Sequence, residues 1–591
     1  MSRGAMAVIQ ASEILYGFIE RLRERYSSMA VDAAGSPSRT ILALTLGAAV
    51  LRDYRLRQAA ATAIPQVAVV GPTQVGKSTV VNLLLGSELA GVNPLAGYTK
   101  HLQGFAVGGE DAQLHAIERY FAGWEQAEPG GLDAEKTHTY SLTRVPEGGT
   151  QLTDPPYLIW DTPDFDSFSS RRYRASVMEI IGASDLIVAV LSKEKYGDLS
   201  VWNMLDLIRT LNRRIVIIVN KLSDDAREVI LDAVRRRLKE HGFVDPAIAV
   251  VPLPYRSGAM KGLATDKSAV VLRTVAGENL ALDSTAGRIT AAAGFVRDRW
   301  VDWVAPVKTE HRCQAQWEAA VEETLREGVG FYRQQYLETQ QYDAFRLAVI
   351  RLLELLEVPG LAKPLSQMRR VITWPLRKLW SGVLGAGRAD PDQRGIESAI
   401  LAEILRHMQT AVRRLALDRS QPTDPGSYWW EAVGATVDSR WPDLENRFAA
   451  AVLDYQQDFA PEIERAGVAL FDRLKQHPAT LNALRVARVT TDAAGVVLAV
   501  KTGGMGINEV VLTPAMLSLT SFLTESAVGS YARSVEETLK RKQLARVEQL
   551  LTSQFAAPMQ QVPKQIDGPA LFRIAPADLA RAEQALDALG P

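Results

Sequence analysis

The sequence predicts an α/β domain, a mainly parallel sheet with helices on both faces, joined to a large all-α bundle or stalk. Three observations carry that prediction. Residues 66 to about 257 alternate short apolar runs with helical patterns, the signature of βαβ units. Within them Gly71 to Ser78 (GPTQVGKS) sits between an apolar strand and the helix Thr79–Leu85, the context a phosphate-binding loop requires. From about residue 290 onward the apolar residues change to three-and-four spacing, which reads as amphipathic helix.

Taken in order, the N-terminal stretch breaks its apolar residues with Glu13, Glu20, Arg21 and Arg23, so it reads as an amphipathic helix and not as a signal peptide. The apolar run Ile41–Leu51 lies between Arg39 and Arg52 and is shorter than the ~20 residues that span a bilayer, so a buried helix is expected. Strands are expected at Gln66–Val70, Tyr157–Trp160, Leu186–Val190, Ile215–Val219 and Ala247–Val251, with helices after the phosphate loop, around Val201–Leu211 and around Asp225–Glu240. In the helical part Phe345, Val349, Leu352, Leu353 and Leu356 share one face. Breaks at Gly385–Gly395 and Gln421–Gly426 separate helices.

Composition narrows the class. With 591 residues, 47% hydrophobic and 23% charged, the chain buries a large core. A net charge of −1 gives no global positive field, so no DNA partner is expected. The one cysteine, Cys313, excludes an internal disulfide framework and a thiolate zinc cluster, which fits a reducing, cytoplasmic setting.

The chemistry concentrates in the loop. Gly71 and Gly76 let the backbone curl so that consecutive N–H groups point at phosphates, with Pro72, Thr73, Gln74 and Val75 between them and Thr79 beyond. Lys77 then reaches the β- and γ-phosphates, and Ser78 supplies a hydroxyl to Mg²⁺. The strand Tyr157–Trp160 delivers Asp161, followed by Thr162 and Pro163, as a ligand to magnesium through water.

With its helix the loop reads GPTQVGKSTVVNLLLG, and this, together with the strand ending in DTP, resembles the Era- and dynamin-like branch of the translation-factor-class GTPases over residues 66 to about 257. The resemblance implies a P-loop GTPase domain that uses GTP and Mg²⁺, yields GDP, and pairs through its GTPase heads. It makes Thr99, flanked by Tyr98 and Lys100, the threonine that senses the γ-phosphate and completes the magnesium shell; an ordinary loop threonine is the other reading. It places base recognition at Asn220 and Lys221, but Leu222 and Ser223 follow where the family carries an aspartate two residues after the lysine. Asp224 or Asp225 is left to substitute, and Tyr255 or Arg256, within Pro254–Ser257, to cover the base. Asp164 replaces the family's glycine, and Phe165 stands where Ras-like enzymes carry the glutamine that positions water. Gln74 lies where Era-like proteins often hold an asparagine that binds K⁺, so K⁺ binding or water orientation falls to it. Arg171, Arg172 and Arg174 are candidates for a charge-stabilising finger, or form a solvated helix face. His101 is a candidate base, or a surface histidine.

The expected layout is N-terminal helices over 1–62 packing with the helical part, a GTPase domain over 63–275, a helical stalk over 276–545 and a helical tail over 546–591. Two segments of the stalk carry membrane character. Residues 360–385 include Met368–Leu384, an amphipathic stretch with Arg370 and Arg377 opposite Ile372, Leu376, Leu379 and Val383, with Trp374 and Trp380, and with Pro375 to kink it; it suits an anionic membrane surface, or is a domain-packing helix with its basic stems on the rim. Residues 493–524 hold two uncharged runs, Ala493–Val500 and Val510–Thr524, around Gly503, Gly504 and Gly506; they form either a hairpin dipping into one leaflet or a buried hairpin. The expected protein is thus a GTPase associated peripherally with the inner face of a membrane, with a helical stalk driven by nucleotide state. An Era-like ribosome or RNA switch, or a nucleotide-binding scaffold with little hydrolysis, is the alternative.

Overall fold

The computed structural model describes residues 3–29, 39–59, 63–91, 99–128, 136, 138–146, 152–154, 156–165, 174–211, 213–243, 248–255, 266–280, 285–339, 342–356, 395–481, 523, 528–566 and 571–590. Among the described residues the strands are β1 (Gln66–Val70), β2 (Leu102–Val107), β3 (Glu125–Gln126), β4 (Thr139–Arg144), β5 (Tyr157–Asp161), β6 (Leu186–Ser192), β7 (Arg214–Leu222) and β8 (Ala249–Pro254). They form one sheet in the order β3-β4-β2-β5-β1-β6-β7-β8. Every neighbouring pair is parallel except β2 with β5, so the β3-β4-β2 block runs against the other five strands.

β1, β5 and β6 are buried along their whole length because their side chains are apolar on both faces of the pleat. Successive residues enter opposite cores. Ala68, Val70, Leu158, Trp160, Ile187 and Ala189 face one layer, and Val67, Val69, Tyr157, Ile159, Leu186 and Val188 the other. The second layer is covered by α3 (Lys77–Leu85) and α8 (Lys267–Asn279) through Val80, Leu84, Ala269 and Leu272. α4 (Asp111–Tyr120), α5 (Arg174–Ala183), α6 (Leu199–Arg209) and α7 (Arg227–Glu240) cover the first.

The expected strands are all present, with boundaries shifted by a few residues. The β3-β4-β2 block was not read from the sequence. β2 (LQGFAV) breaks its apolar residues with Gln103 and Gly104 and shows no clean period, and β4 (TYSLTR) alternates only two apolar residues, Tyr140 and Leu142, with Thr139, Ser141 and Thr143, a pattern too short to stand out. Their pairing is set by tertiary context, β2 lying antiparallel along β5 from Gln103↔Asp161 to Val107↔Tyr157.

Two compact units emerge: Met1–Lys308 with Gly568–Pro591, and Thr309–Asp567. Residues 1–62, expected to pack with the helical part, lie in the first unit together with the sheet and with residues 568–591. α1 (Arg3–Met29) and α2 (Arg39–Ala59) belong to the sheet-containing unit. The physical reason is a set of groups with no other home. α2 approaches α5 so closely that a Cβ on Gly182 would lie 2.5 Å from the Ala49 Cβ. Arg52 bonds the Glu179 carboxylate at 3.1 Å and the Tyr16 hydroxyl at 3.0 Å. Beside it, buried Asp185 accepts from the Gln66 backbone N–H (2.8 Å), from Arg57 (3.0 Å) and from Arg288, while Arg288 also donates to Asp53. α1 buries Leu15, Phe18, Ile19 and Leu22 in the core shared by Leu579, Ala582 and Leu586 of the C-terminal helix Pro576–Ala588. The long helix α9 (Thr285–Tyr332) contributes Phe295, Trp300 and Trp303 to the same core.

The second unit is helical among its described residues. It holds the later turns of α9, α10 (Asp343–Leu355), α11 (Ile396–Arg419), α12 (Ser427–Lys475) and α13 (Gly529–Leu551). Phe345, Val349, Leu352, Leu353 and Leu356 are buried together as their spacing predicts. Glu397, in the first turn of α11, accepts hydrogen bonds from Tyr332, Tyr455 (2.7 Å) and Gln543 (2.8 Å). Burial and this carboxylate push both tyrosine hydroxyls far above their ordinary range.

Candidate functional site

Because β5, β1, β6 and β7 run parallel, their C-terminal ends open on one edge of the sheet, where ligands of such folds bind. Val70, Asp161, Ser192 and Asn220 end or lie close to the end of these strands. The phosphate loop leaves β1 there and turns into α3, whose N-terminal N–H groups and dipole favour an anion. Gly76 is the residue before the helix, at φ 91° and ψ 39°, and a Cβ there would lie 2.5 Å from Asn220 Nδ2.

Two other residues of the edge adopt positive φ without being glycine, Gln74 (61°) and Lys221 (59°). Such conformations persist where surrounding contacts over-determine them, and they cluster at ligand sites. Here they hold each other: Lys221 Nζ donates to the Gln74 carbonyl at 2.6 Å, and Asn220 Nδ2 donates to the Val75 carbonyl at 2.8 Å. Asn220 and Lys221 thus fasten the phosphate loop from the side, whatever base lies beyond. Tyr255, largely exposed, bonds its N–H to the Leu222 carbonyl at 2.9 Å, so the strand end expected to cover a base lies beside this pair. Asp225 is fully exposed and its carboxyl is held low, first by a hydrogen bond from Ser223.

Lys77, Ser78, Thr99 and Asp161 converge at the start of α3. Ser78 Oγ donates to Asp161 Oδ2 at 2.6 Å and lies 3.4 Å from Thr99 Oγ1. Asp161 Oδ1 is buried and, among the described residues, has no hydrogen-bond partner. Burial lifts the Asp161 carboxyl to about 6, against the opposing pull of the Ser78 hydrogen bond and the Lys77 charge. A desolvated carboxylate with one orphaned oxygen, beside two hydroxyls, is the donor set a hard divalent cation takes, so these residues fit Mg²⁺. The cluster was legible as separate residues, and the structure brings all four together.

One contact was not foreseen. Lys77 Nζ donates to Asp164 Oδ1 and to the Pro72 carbonyl (3.1 Å), with both charged side chains buried. The signal was present, since an aspartate replaces an expected glycine, but its partner was not. Phe165 is buried, so it presents no polar group to a water. Arg174 spends its Nε on the Phe165 carbonyl at 2.6 Å, and so braces the loop within its own chain. His101 is buried at the foot of β2 and is not a surface histidine. Tyr98, Arg171, Arg172, Arg256, the stretch 360–385 and nearly all of 493–524 lie outside the described residues.

Gly76→Ala is expected to lower nucleotide affinity by about ten- to a hundred-fold, because a left-handed alanine is strained by ~1–3 kcal/mol and its methyl displaces Asn220. Nucleotide titration of the folded variant checks this, and an affinity within three-fold of the parent contradicts it.

Residues 66–221 match the family model described as 50S ribosome-binding GTPase, so the chain carries a P-loop GTPase domain. No curated protein matches the sequence. Among solved structures, a variant of Aquifex aeolicus Era bound to GDP and aluminium fluoride is 18% identical, with 37% of this chain and 58% of that chain covered and a TM-score of 0.24. Era bound to MgGDPNP and a segment of 16S ribosomal RNA is 16% identical, with 39% and 66% covered and a TM-score of 0.24. The chain therefore spans less than two thirds of the length of these Era chains. An oligomerised bacterial dynamin pair, described as a mechanism for the long-range sensing and tethering of membranes, is 9% identical over 91% of this chain and 90% of that one, with a TM-score of 0.37.

Proposed function

We propose, from the premise that residues 66–221 form a GTPase domain, that this chain binds GTP with Mg²⁺ and hydrolyses it, slowly until a partner or self-assembly assists. The observation that carries the reading is the convergence of Lys77, Ser78, Thr99 and Asp161 at the positive end of α3. The loop N–H groups and Lys77 bind and orient the phosphates. Ser78 and Thr99 would hold Mg²⁺, with Asp161 reaching it through water; bound there, the ion neutralises charge on the β- and γ-phosphate oxygens. Asn220 and Lys221 keep the loop in shape and face the base, with Ser223 and Asp225 offering polar groups where the family's aspartate is absent. Gln74 is the assigned group for K⁺ or for orienting water.

We place the protein at the cytoplasmic face of an anionic membrane, with ordering of the loop that carries Thr99 as the local event and rearrangement of the helices or pairing of GTPase heads as the readout. What supports the membrane part is the character of Met368–Leu384 and of residues 493–524 in the sequence. Among the described residues, no helix is long and apolar enough to cross a membrane.

The test is turnover of GTP beside ATP, with and without anionic liposomes, with co-sedimentation in the same tubes. GTP-selective turnover that rises with liposomes, in protein that pellets with them, is the expected result. Turnover indifferent to liposomes that the protein does not bind removes the membrane role. A second reading, a scaffold that binds GTP and scarcely hydrolyses it, is favoured by the buried Phe165 and by the Asp164 contact to Lys77. Single-turnover hydrolysis separates the two, since a scaffold releases GTP intact.

A further inference from the structure

We infer that Asp164 competes with the γ-phosphate for Lys77 and so sets the preference of this site between diphosphate and triphosphate; the inference rests on the reading of the phosphate loop as the nucleotide site. An ammonium has three donors. Lys77 directs two of them to its own chain, one to the Pro72 carbonyl and one to the Asp164 carboxylate. Among the described residues one remains, enough for a β-phosphate oxygen and not for β- and γ-oxygens together. A diphosphate therefore binds with the Lys77–Asp164 pair intact. A triphosphate must take the donor that Asp164 holds, and it leaves the carboxylate beside a second anion in a site where 5% and 8% of the two residues are exposed and screening is weak.

Asp164 is not free to swing aside without further loss. Upstream, Thr162 Oγ1 donates to the Val69 carbonyl at 2.8 Å, and downstream Arg174 donates to the Phe165 carbonyl beside the buried Phe165 ring. The backbone on either side of Asp164 is thus tied down, which keeps its carboxylate within reach of Lys77. Asp164 is a positioning residue in this account, since it acts through Lys77.

The experiment compares equilibrium affinities for GTP and GDP, with Mg²⁺ present, in the full chain and in Asp164→Asn, Asp164→Gly, Asp164→Glu and Lys77→Ala. Asp164→Asn and Asp164→Gly are expected to tighten GTP by about ten-fold or more while GDP shifts less than about three-fold, the scale of one charge-assisted hydrogen bond. Asp164→Glu keeps a carboxylate and is expected to hold the parent ratio. If the parent binds both nucleotides, Lys77→Ala loses both, and the GTP-to-GDP ratio is unchanged in the Asn and Gly variants, the inference is overturned while the nucleotide site stands. Equal weakening of GTP and GDP in Asp164→Asn, repaired by Asp164→Glu, makes the residue structural and also overturns it, as does lost turnover at an unchanged ratio. A parent that binds neither nucleotide removes the site and the inference together.

Discussion

Lys77→Ala is expected to reduce affinity for GDP by about 10- to 10²-fold and for GTP by about 10²- to 10⁴-fold, because it removes one charge-assisted hydrogen bond from the first and up to two from the second at ~1.5–3 kcal/mol each. The side chain is buried, with Asp164 and the Pro72 carbonyl fixing its head at the mouth of α3. The substitution has a second consequence. It leaves the Asp164 carboxylate buried without its cation, so the variant should also unfold at lower denaturant than the parent. Titration with fluorescent nucleotide measures the first effect and chemical denaturation the second. Retained affinity for both nucleotides would mean that the phosphates bind elsewhere.

The largest expected loss of stability comes from Arg288→Ala. The Arg288 guanidinium spans two acids, Nη1 to Asp53 on α2 and Nη2 to Asp185 at the foot of β6. Those carboxylates have side-chain exposures of 4% and 0%. With Arg288 gone, Arg57 alone remains to serve both, at 2.8 Å to Asp53 and 3.0 Å to Asp185. Removing one member of such a buried set is worth about 3–5 kcal/mol, since a charge is left uncompensated. Arg288→Lys should not restore it, because a single ammonium cannot present the planar fork that reaches two carboxylates at once. Denaturation midpoints of both variants check this. A loss below ~1 kcal/mol in Arg288→Ala would show that the N-terminal helices are held by apolar packing alone.

How far the sequence carried the reading differs from one element to the next. β1, β5, β6 and β7 are continuous apolar runs that end at loop chemistry, so both the strands and the residues they deliver, Asp161 and Asn220, could be read directly. β2 and β4 depend on partners far along the chain, and the local signal is weak, absent in LQGFAV and a two-residue alternation in TYSLTR. The buried helix α2 was legible from Ile41–Leu51, but its neighbour was not, because an apolar helix does not say which apolar surface it meets. Asp53, Arg57 and Arg288 held that answer, and an ion pair between residues 235 positions apart carries no local signal. At the site, residue types announced the phosphate loop, the hydroxyl and carboxylate groups that fit Mg²⁺, and the absence of the aspartate that the resemblance leads one to expect after Lys221. The Lys77–Asp164 pair was hidden for a further reason: the departure of Asp164 from glycine was visible, yet only the geometry identifies which cation it meets.

Whether Mg²⁺ and GTP bind together at the start of α3 is decided by binding of labelled GTP to the purified chain, with Mg²⁺ and with chelator, in competition with GDP and ATP. Saturable binding that weakens at least about ten-fold on chelation, with GDP displacing the label and ATP failing to, is the predicted result. Binding that ignores Mg²⁺ and yields equally to ATP, or no binding at all, would contradict it.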